Sequence, residues 1–131
     1  MLLTFPWHVT AQLDPNRKCL ALLGLVHLQS PLLLPTFLQF GIRIERQLRR
    51  TSGVLGFRTA ADPMSLKFYH LSAWHDKDAI DLFVRSAPHA FAVRRLIGRL
   101  GVTAFRYWEV QSSELPLEIR RELQRLSTAA T

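Results

Sequence analysis

The sequence holds a single cysteine, Cys19, so no disulfide can form within the chain, and no Cys/His spacing resembles a zinc site. It has no apolar run of the ~20 residues needed to cross a bilayer. The strongly apolar stretch Cys19 to Leu28 is stopped by Gln29, Ser30 and Pro31. The leader Met1 to Lys18 lacks a basic n-region, and Pro6, His8 and Gln12 interrupt its apolar pieces, so it is not expected to act as a signal peptide. Low-complexity runs are absent. These absences argue against a disulfide-stapled secreted domain or a membrane protein, and the simplest expectation is a reducing, cytoplasmic location.

What remains is the composition of a globular core: 131 residues, 48% apolar and 10% aromatic. One domain of this length buries about two thirds of its unfolded surface. Acidic residues are few, 10 against 17 Lys+Arg, and the net charge of +7 raises the question of nucleic acid. Arginine supplies most of that charge. It clusters at Arg43, Arg46, Arg49 and Arg50, at Arg94, Arg95 and Arg99, and at Arg120, Arg121 and Arg125, each time on a predicted helix. A solvated helix face explains such clusters, and Lys67-Phe68-Tyr69-His70 lacks the aromatic and glycine pattern with which RNA-recognition domains stack bases. Nucleic acid is therefore not the expected partner.

The chain is organised around Leu66 to Val110. From Leu66 to Trp74 a strand period of two puts Leu66, Phe68, His70, Ser72 and Trp74 on one face and Lys67, Tyr69, Leu71 and Ala73 on the other. The first face has the composition of a pocket wall, aromatic with a few polar groups. Asp76 is placed to cap a helix, with Asp78 adding charge at the positive end of its dipole. Ala79, Leu82, Phe83, Ala90, Val93, Ile97 and Leu100 recur at helical spacing, broken at Ser86-Ala87-Pro88. Pro88 fits the first turn of a new helix better than the middle of an old one, so two helical pieces are expected, with His89 in the first turn of the second. Gly98 and Gly101 close that helix and Val102 to Val110 resumes strand alternation.

Before this block, residues 1–18 read as an irregular arm with Trp7 as an anchor and Asp14-Pro15-Asn16 as a turn. Cys19 to Gln29 is a first strand, and a helix follows from about Pro35 to Thr51 with Phe37, Phe40, Gly41, Ile44 and Leu48 as its buried stripe. Gly53 ends it, and Val54 to Ala60 pairs with the central strand as a hairpin. A helix over Leu117 to Leu126 ends the chain, fraying from Thr128. The order β-α-β-β-α-β is the split, ferredoxin-like arrangement of an α+β domain over 19–111, followed by a C-terminal helix and tail at 112–131. With two helices on one sheet face, the face of Phe68, His70, Ser72 and Trp74 is expected to be bare, and an apolar face of that kind calls for a homodimer closed through it.

Several segments together resemble the antibiotic biosynthesis monooxygenase-like superfamily of dimeric α/β barrels, with the nearest likeness in a bacterial branch of unassigned activity. They are Thr51-Ser52-Gly53-Val54-Leu55-Gly56-Phe57-Arg58, Phe68 to Trp74 with Asp76, Phe83-Val84-Arg85-Ser86 with Pro88-His89, and Phe105 to Trp108. The resemblance implies a cavity between sheet and helices that oxygenates a small aromatic or apolar substrate without metal, flavin or other cofactor. His70 and His89 are then the candidate catalytic residues, and Phe68, Ser72, Trp74, Arg58 and Phe83 the candidate substrate contacts. The period-two alternation leaves the facing of Arg58 open. A haem-degrading branch fits poorly: its first-strand asparagine has no counterpart, the only asparagine being Asn16, and its Trp and His fall at Phe83 and Val93. No strong acid/base pair is present, so a non-catalytic dimeric module that binds a small ligand is the competing expectation, with RNA binding behind it.

Overall fold

A computed structural model describes residues 2–11, 16–86, 89–96 and 100–129. Asp14 and Pro15 of the expected turn, and Ala87, Pro88, Ile97 and Gly98 of the expected helix break and end, lie outside the described residues.

The central strand β5 (Lys67–Trp74) is flanked by β3 (Lys18–Leu28) and β4 (Val54–Asp62). On the far side of β3 lies β6 (Leu100–Gln111), and every pairing is antiparallel. Helix α1 (Leu34–Arg50) joins β3 to β4, while α2 (Lys77–Arg85) and α3 (His89–Leu96) join β5 to β6. Each connection skips one strand, so the core is the ferredoxin-like α+β fold. A final helix, α4 (Ile119–Ala129), follows β6 and runs past Thr128, since Ser, Thr and Ala do not stop a helix as Gly or Pro would. Among the described residues no helix is long and apolar enough to cross a membrane.

Local chemistry accounts for the element ends. Asp76 accepts from the backbone N–H of Ala79 at 2.9 Å and caps α2 as its position implies. Helix α1 ends at Arg50, with Thr51 already extended, and Gly53 at φ +95° turns the chain into β4 through the left-handed region, which a side chain would strain. Leu100 and Gly101, expected at the helix end, instead open β6. The N-terminal arm is not irregular. Its segments β1 (Leu3–Thr4) and β2 (His8–Val9) both pair with β4, satisfying an edge that would otherwise be bare. Trp7 anchors this arm: a Cβ on Gly56 would collide with its indole, so the ring occupies the space glycine leaves.

The two faces of β5 alternate as expected, but the layers over them are the reverse of the expected ones. Phe68, His70, Ser72 and Trp74 face the helices. Phe68 packs on Phe37 of α1 with ring centroids 4.6 Å apart, and Trp74 on Phe83 of α2 at 5.3 Å. Leu48, Val54, Phe57, Trp74, Ile80 and Phe83 form one buried cluster there, and Phe40, Ala92 and Leu96 another. The opposite face, with Ala21, Leu23, Leu71 and Ala73, is covered by the chain's own ends through Leu117, Ile119, Leu2 and Trp7. Closure of a dimer through Phe68, His70, Ser72 and Trp74 is therefore corrected: helices of the same chain already occupy that face. The largest apolar side chains went under the helices, where burial gains most, and the smaller Ala and Leu face took the thin terminal cover.

Candidate functional site

The residues singled out by sequence divide between the two sides of the sheet. On the helix side, β5 presents Phe68, His70, Ser72 and Trp74, and the α2–α3 junction brings Phe83 and His89 over them. The Phe83 ring is 5.3 Å from that of Trp74 and 5.1 Å from that of His89, forming one aromatic chain. Arg58 is not part of it. In register it faces Leu71, on the other side of the sheet, where it donates to Leu117 O (3.0 Å) and Phe5 O (3.2 Å) and meets Glu118 at 3.1 Å. Arg58 ties both chain ends to β4, and its proposed contact with a substrate is corrected accordingly.

His70 sits opposite Gly24 on β3 and Thr59 on β4. The gap above Gly24 is closed by Phe105 of β6, whose ring would lie 3.0 Å from a Cβ there. The imidazole stacks on Phe57 at 6.4 Å, with planes 21° apart. No group among the described residues hydrogen-bonds the ring, which leaves both nitrogens open to a ligand. Burial, reinforced by nearby His89, pushes its pKa down to about 4, so the ring is neutral at physiological pH.

His89 is held differently. Its Nδ1 lies 3.2 Å from Val84 O. A carbonyl oxygen only accepts, so this bond puts the proton on Nδ1 and leaves the Nε2 lone pair free in the neutral ring. Burial lowers its pKa, and the bond to Val84 opposes that shift. Its backbone N–H donates to Gln47 Oε1 at 3.0 Å, while Gln47 Nε2 donates to Phe83 O at 3.2 Å. Gln47 of α1 thus fixes the junction that positions both Phe83 and His89. The sequence carried one sign of this role, an amide beside the buried Leu48 and three residues after Ile44.

Ser72 and Trp74 are sealed rather than open. Both are 0% exposed, and Trp74 Nε1 donates to Ser72 Oγ at 2.8 Å, so each satisfies the other's polar atom. Among the described residues no group of three or more His, Cys, Asp and Glu side chains could hold a metal ion. The arrangement offers two neutral imidazoles of unlike hydrogen bonding against aromatic walls, a setting suited to accepting a proton from an apolar molecule.

No protein-family model matches the chain, and no curated protein matches it in sequence. Solved structures match it in fold. A candidate monooxygenase from Lactobacillus acidophilus aligns with a TM-score of 0.63 at 12% identity, over 85% of this chain and 49% of its own length. A candidate antibiotic biosynthesis monooxygenase from Deinococcus radiodurans aligns with a TM-score of 0.61 at 15% identity, over 70% of this chain and 91% of its own. A ferredoxin-fold protein from Listeria monocytogenes, related to antibiotic biosynthesis monooxygenases, gives 0.58 at 15% identity, over 79% and 63%. The chain thus spans about half the length of the Lactobacillus protein, at 49%. The fold is that of the antibiotic biosynthesis monooxygenase-like ferredoxin-fold proteins.

Proposed function

We propose that the layer between sheet and helices binds a small aromatic or apolar molecule and oxygenates it without a cofactor. One observation carries this reading: His89 has a free Nε2 fixed by the Nδ1 contact to Val84 O, beside an aromatic wall and an unbonded, neutral His70. A substrate with an acidic CH₂ next to a carbonyl or aromatic system would lose a proton to His89 Nε2, and the carbanion would react with dioxygen. One oxygen atom ends in the new carbonyl and the other in water. All four electrons come from the CH₂, so no outside reductant is consumed. His70, with a pKa of about 4, holds a proton too weakly to serve as the main base and acts as a hydrogen-bonding partner to the substrate. Phe57 and Phe68 keep water from the carbanion.

The experiment is oxygen uptake with anthrone as probe, alongside direct binding of the same compound. His89→Gln should lower turnover by roughly a hundredfold or more, with a modest change in binding. Unchanged turnover in that variant would remove His89 as base. A second reading, a non-catalytic binding module, draws support from Arg58: the cation offered by the sequence for a substrate anion lies on the far face, bonded to Leu117 and Glu118. Binding of anthrone by the wild type without oxygen uptake would favour it.

A homodimer belongs to the same proposal, through a different surface from the one expected. Strand β6 pairs only with β3 among the described residues, and Phe105 and Tyr107 on it are 64% and 52% exposed. A long, apolar free edge invites pairing with a second copy. Light scattering at micromolar concentration should give twice the chain mass of 15.0 kDa. A monomer under those conditions would sink the dimer while leaving the pocket proposal standing.

A further inference from the structure

Of the four arginines near the end of α1, Arg49 has a carboxylate partner, Glu45 at 2.9 Å. Arg43, Arg46 and Arg50 have none among the described residues, and all three line one open cleft of 470 Å³ between α1 and α2. Their spacing of three and four residues stacks them in a single stripe along the helix. Across the cleft stand Leu82, Phe83 and Ser86, while Ser52 lies beyond the end of α1; among the described residues no acid lines the cavity. Asp76 caps α2 on the Ala79 N–H, Asp81 meets Lys77 at 4.0 Å, and neither they nor Asp78 of the first turn are among the residues lining the cleft.

A solvated helix face does not account for this arrangement. Like charges at three- and four-residue spacing repel, and each such pair destabilises a helix. The negative end of the helix dipole relieves Arg50, but its influence fades within the last turn and does not reach Arg43. The cleft is also held in shape: Gln47, among its lining residues, is hydrogen-bonded to both Phe83 O and His89 N and so ties α1 to the opposite wall. Three unpaired guanidiniums on a braced, acid-free concavity are donors set out for a polyanion. The volume falls within the range of about 300–1,000 Å³ typical of small-molecule sites, and the edge of Phe83 with Leu82 supplies an apolar shelf.

We propose that this cleft binds a small molecule carrying a diphosphate or larger phosphate chain on an apolar or aromatic body, with Arg43, Arg46 and Arg50 on the phosphates. The proposal does not rest on the oxygenase reading, for the residues lining the cleft include neither His70 nor His89. Phe83 is common to both, so occupancy of the cleft bears on the wall of the histidine layer.

The test is a titration with inorganic pyrophosphate at 150 mM salt, followed by amide chemical shifts and by thermal unfolding. Wild type should saturate, with the largest shifts at Arg46, Leu82 and Phe83. R43Q/R46Q should weaken binding tenfold or more, and R46Q alone should do so severalfold; both place a good helix former at an exposed position and leave the fold intact. R120Q/R121Q on α4 removes the same charge away from the cleft and should leave affinity unchanged. Equal weakening by the two pairs would reduce the effect to overall charge and overturn the site. A single-stranded RNA oligonucleotide that displaces pyrophosphate at lower concentration, through the same arginines, would overturn the small-molecule assignment.

Discussion

Trp74→Ala should destabilise the protein by about 3–5 kcal/mol, the cost of removing a fully buried tryptophan and leaving part of its volume empty. The indole is 0% exposed and packs on Phe83 at 5.3 Å within the cluster of Leu48, Val54, Phe57 and Ile80. The substitution also strands the Ser72 hydroxyl, itself 0% exposed, whose partner is Trp74 Nε1 at 2.8 Å. An unsatisfied buried polar group adds about 1–3 kcal/mol. Against the 5–15 kcal/mol typical of a domain, that leaves the variant close to unfolding. Trp74→Phe keeps a ring against Phe83 and should lose roughly half as much. Urea unfolding checks both: the midpoint should fall with the slope unchanged. A loss below about 1 kcal/mol for Trp74→Ala would mean that Trp74 is not sealed, and a ligand could then reach it without opening the layer.

Whatever depended on near neighbours in the chain was legible. The Asp76 cap, the end of α2 at Ser86, the left-handed turn at Gly53 and the pairing of β4 with β5 each follow from a few adjacent residues. What depended on distant segments was not. Alternation along β5 separates two faces, yet which face the helices take is decided by the arm at Trp7 and the segment at Leu117 and Ile119, far away in sequence. Arg58 shows how one irregularity defeats a period of two. The register of β4 slips between Val54 and Gly56, so Val54 and Phe57 share the helix side although three residues apart, and Arg58 is turned to the other face. The helix stripes were partly right. Phe40 and Leu48 are buried, but Leu82 and Val93 are 57% and 45% exposed, and Ile80 and Leu96 take the core places. His70 against Phe57 and His89 against Phe83 lie in the aromatic layer, while Gln47, which holds the junction, is a contact across 42 residues that no local pattern shows.

The stability of the protein should fall as pH drops from about 6.5 towards 4, and His70 should be the main cause. Its folded-state pKa is about 4, below the ordinary 6.5, because burial and then the charge of His89 penalise the imidazolium. Between those values the unfolded chain binds more protons than the folded one, so stability rises with pH across the window and is complete above 6.5. At about 1.4 kcal/mol for each pH unit, the contribution is at most about 3 kcal/mol. His89 acts in the same direction, as its pKa is also lowered by burial. Asp62 is lowered too, chiefly by the neighbouring Ser65, but a carboxylate lowered from 3.8 acts below this window. Urea unfolding of the wild type and of His70→Gln at pH 7, 6, 5 and 4.5 isolates the term. The difference between the two should be flat above 6.5 and should move in favour of the variant as pH falls, because glutamine has no proton to take up. A difference that stays constant to pH 4.5 would place the His70 pKa near 6.5, in a ring that water reaches freely. Such a ring would be charged half the time at pH 6.5, and the dry, neutral wall on which the oxygenase reading depends would be absent.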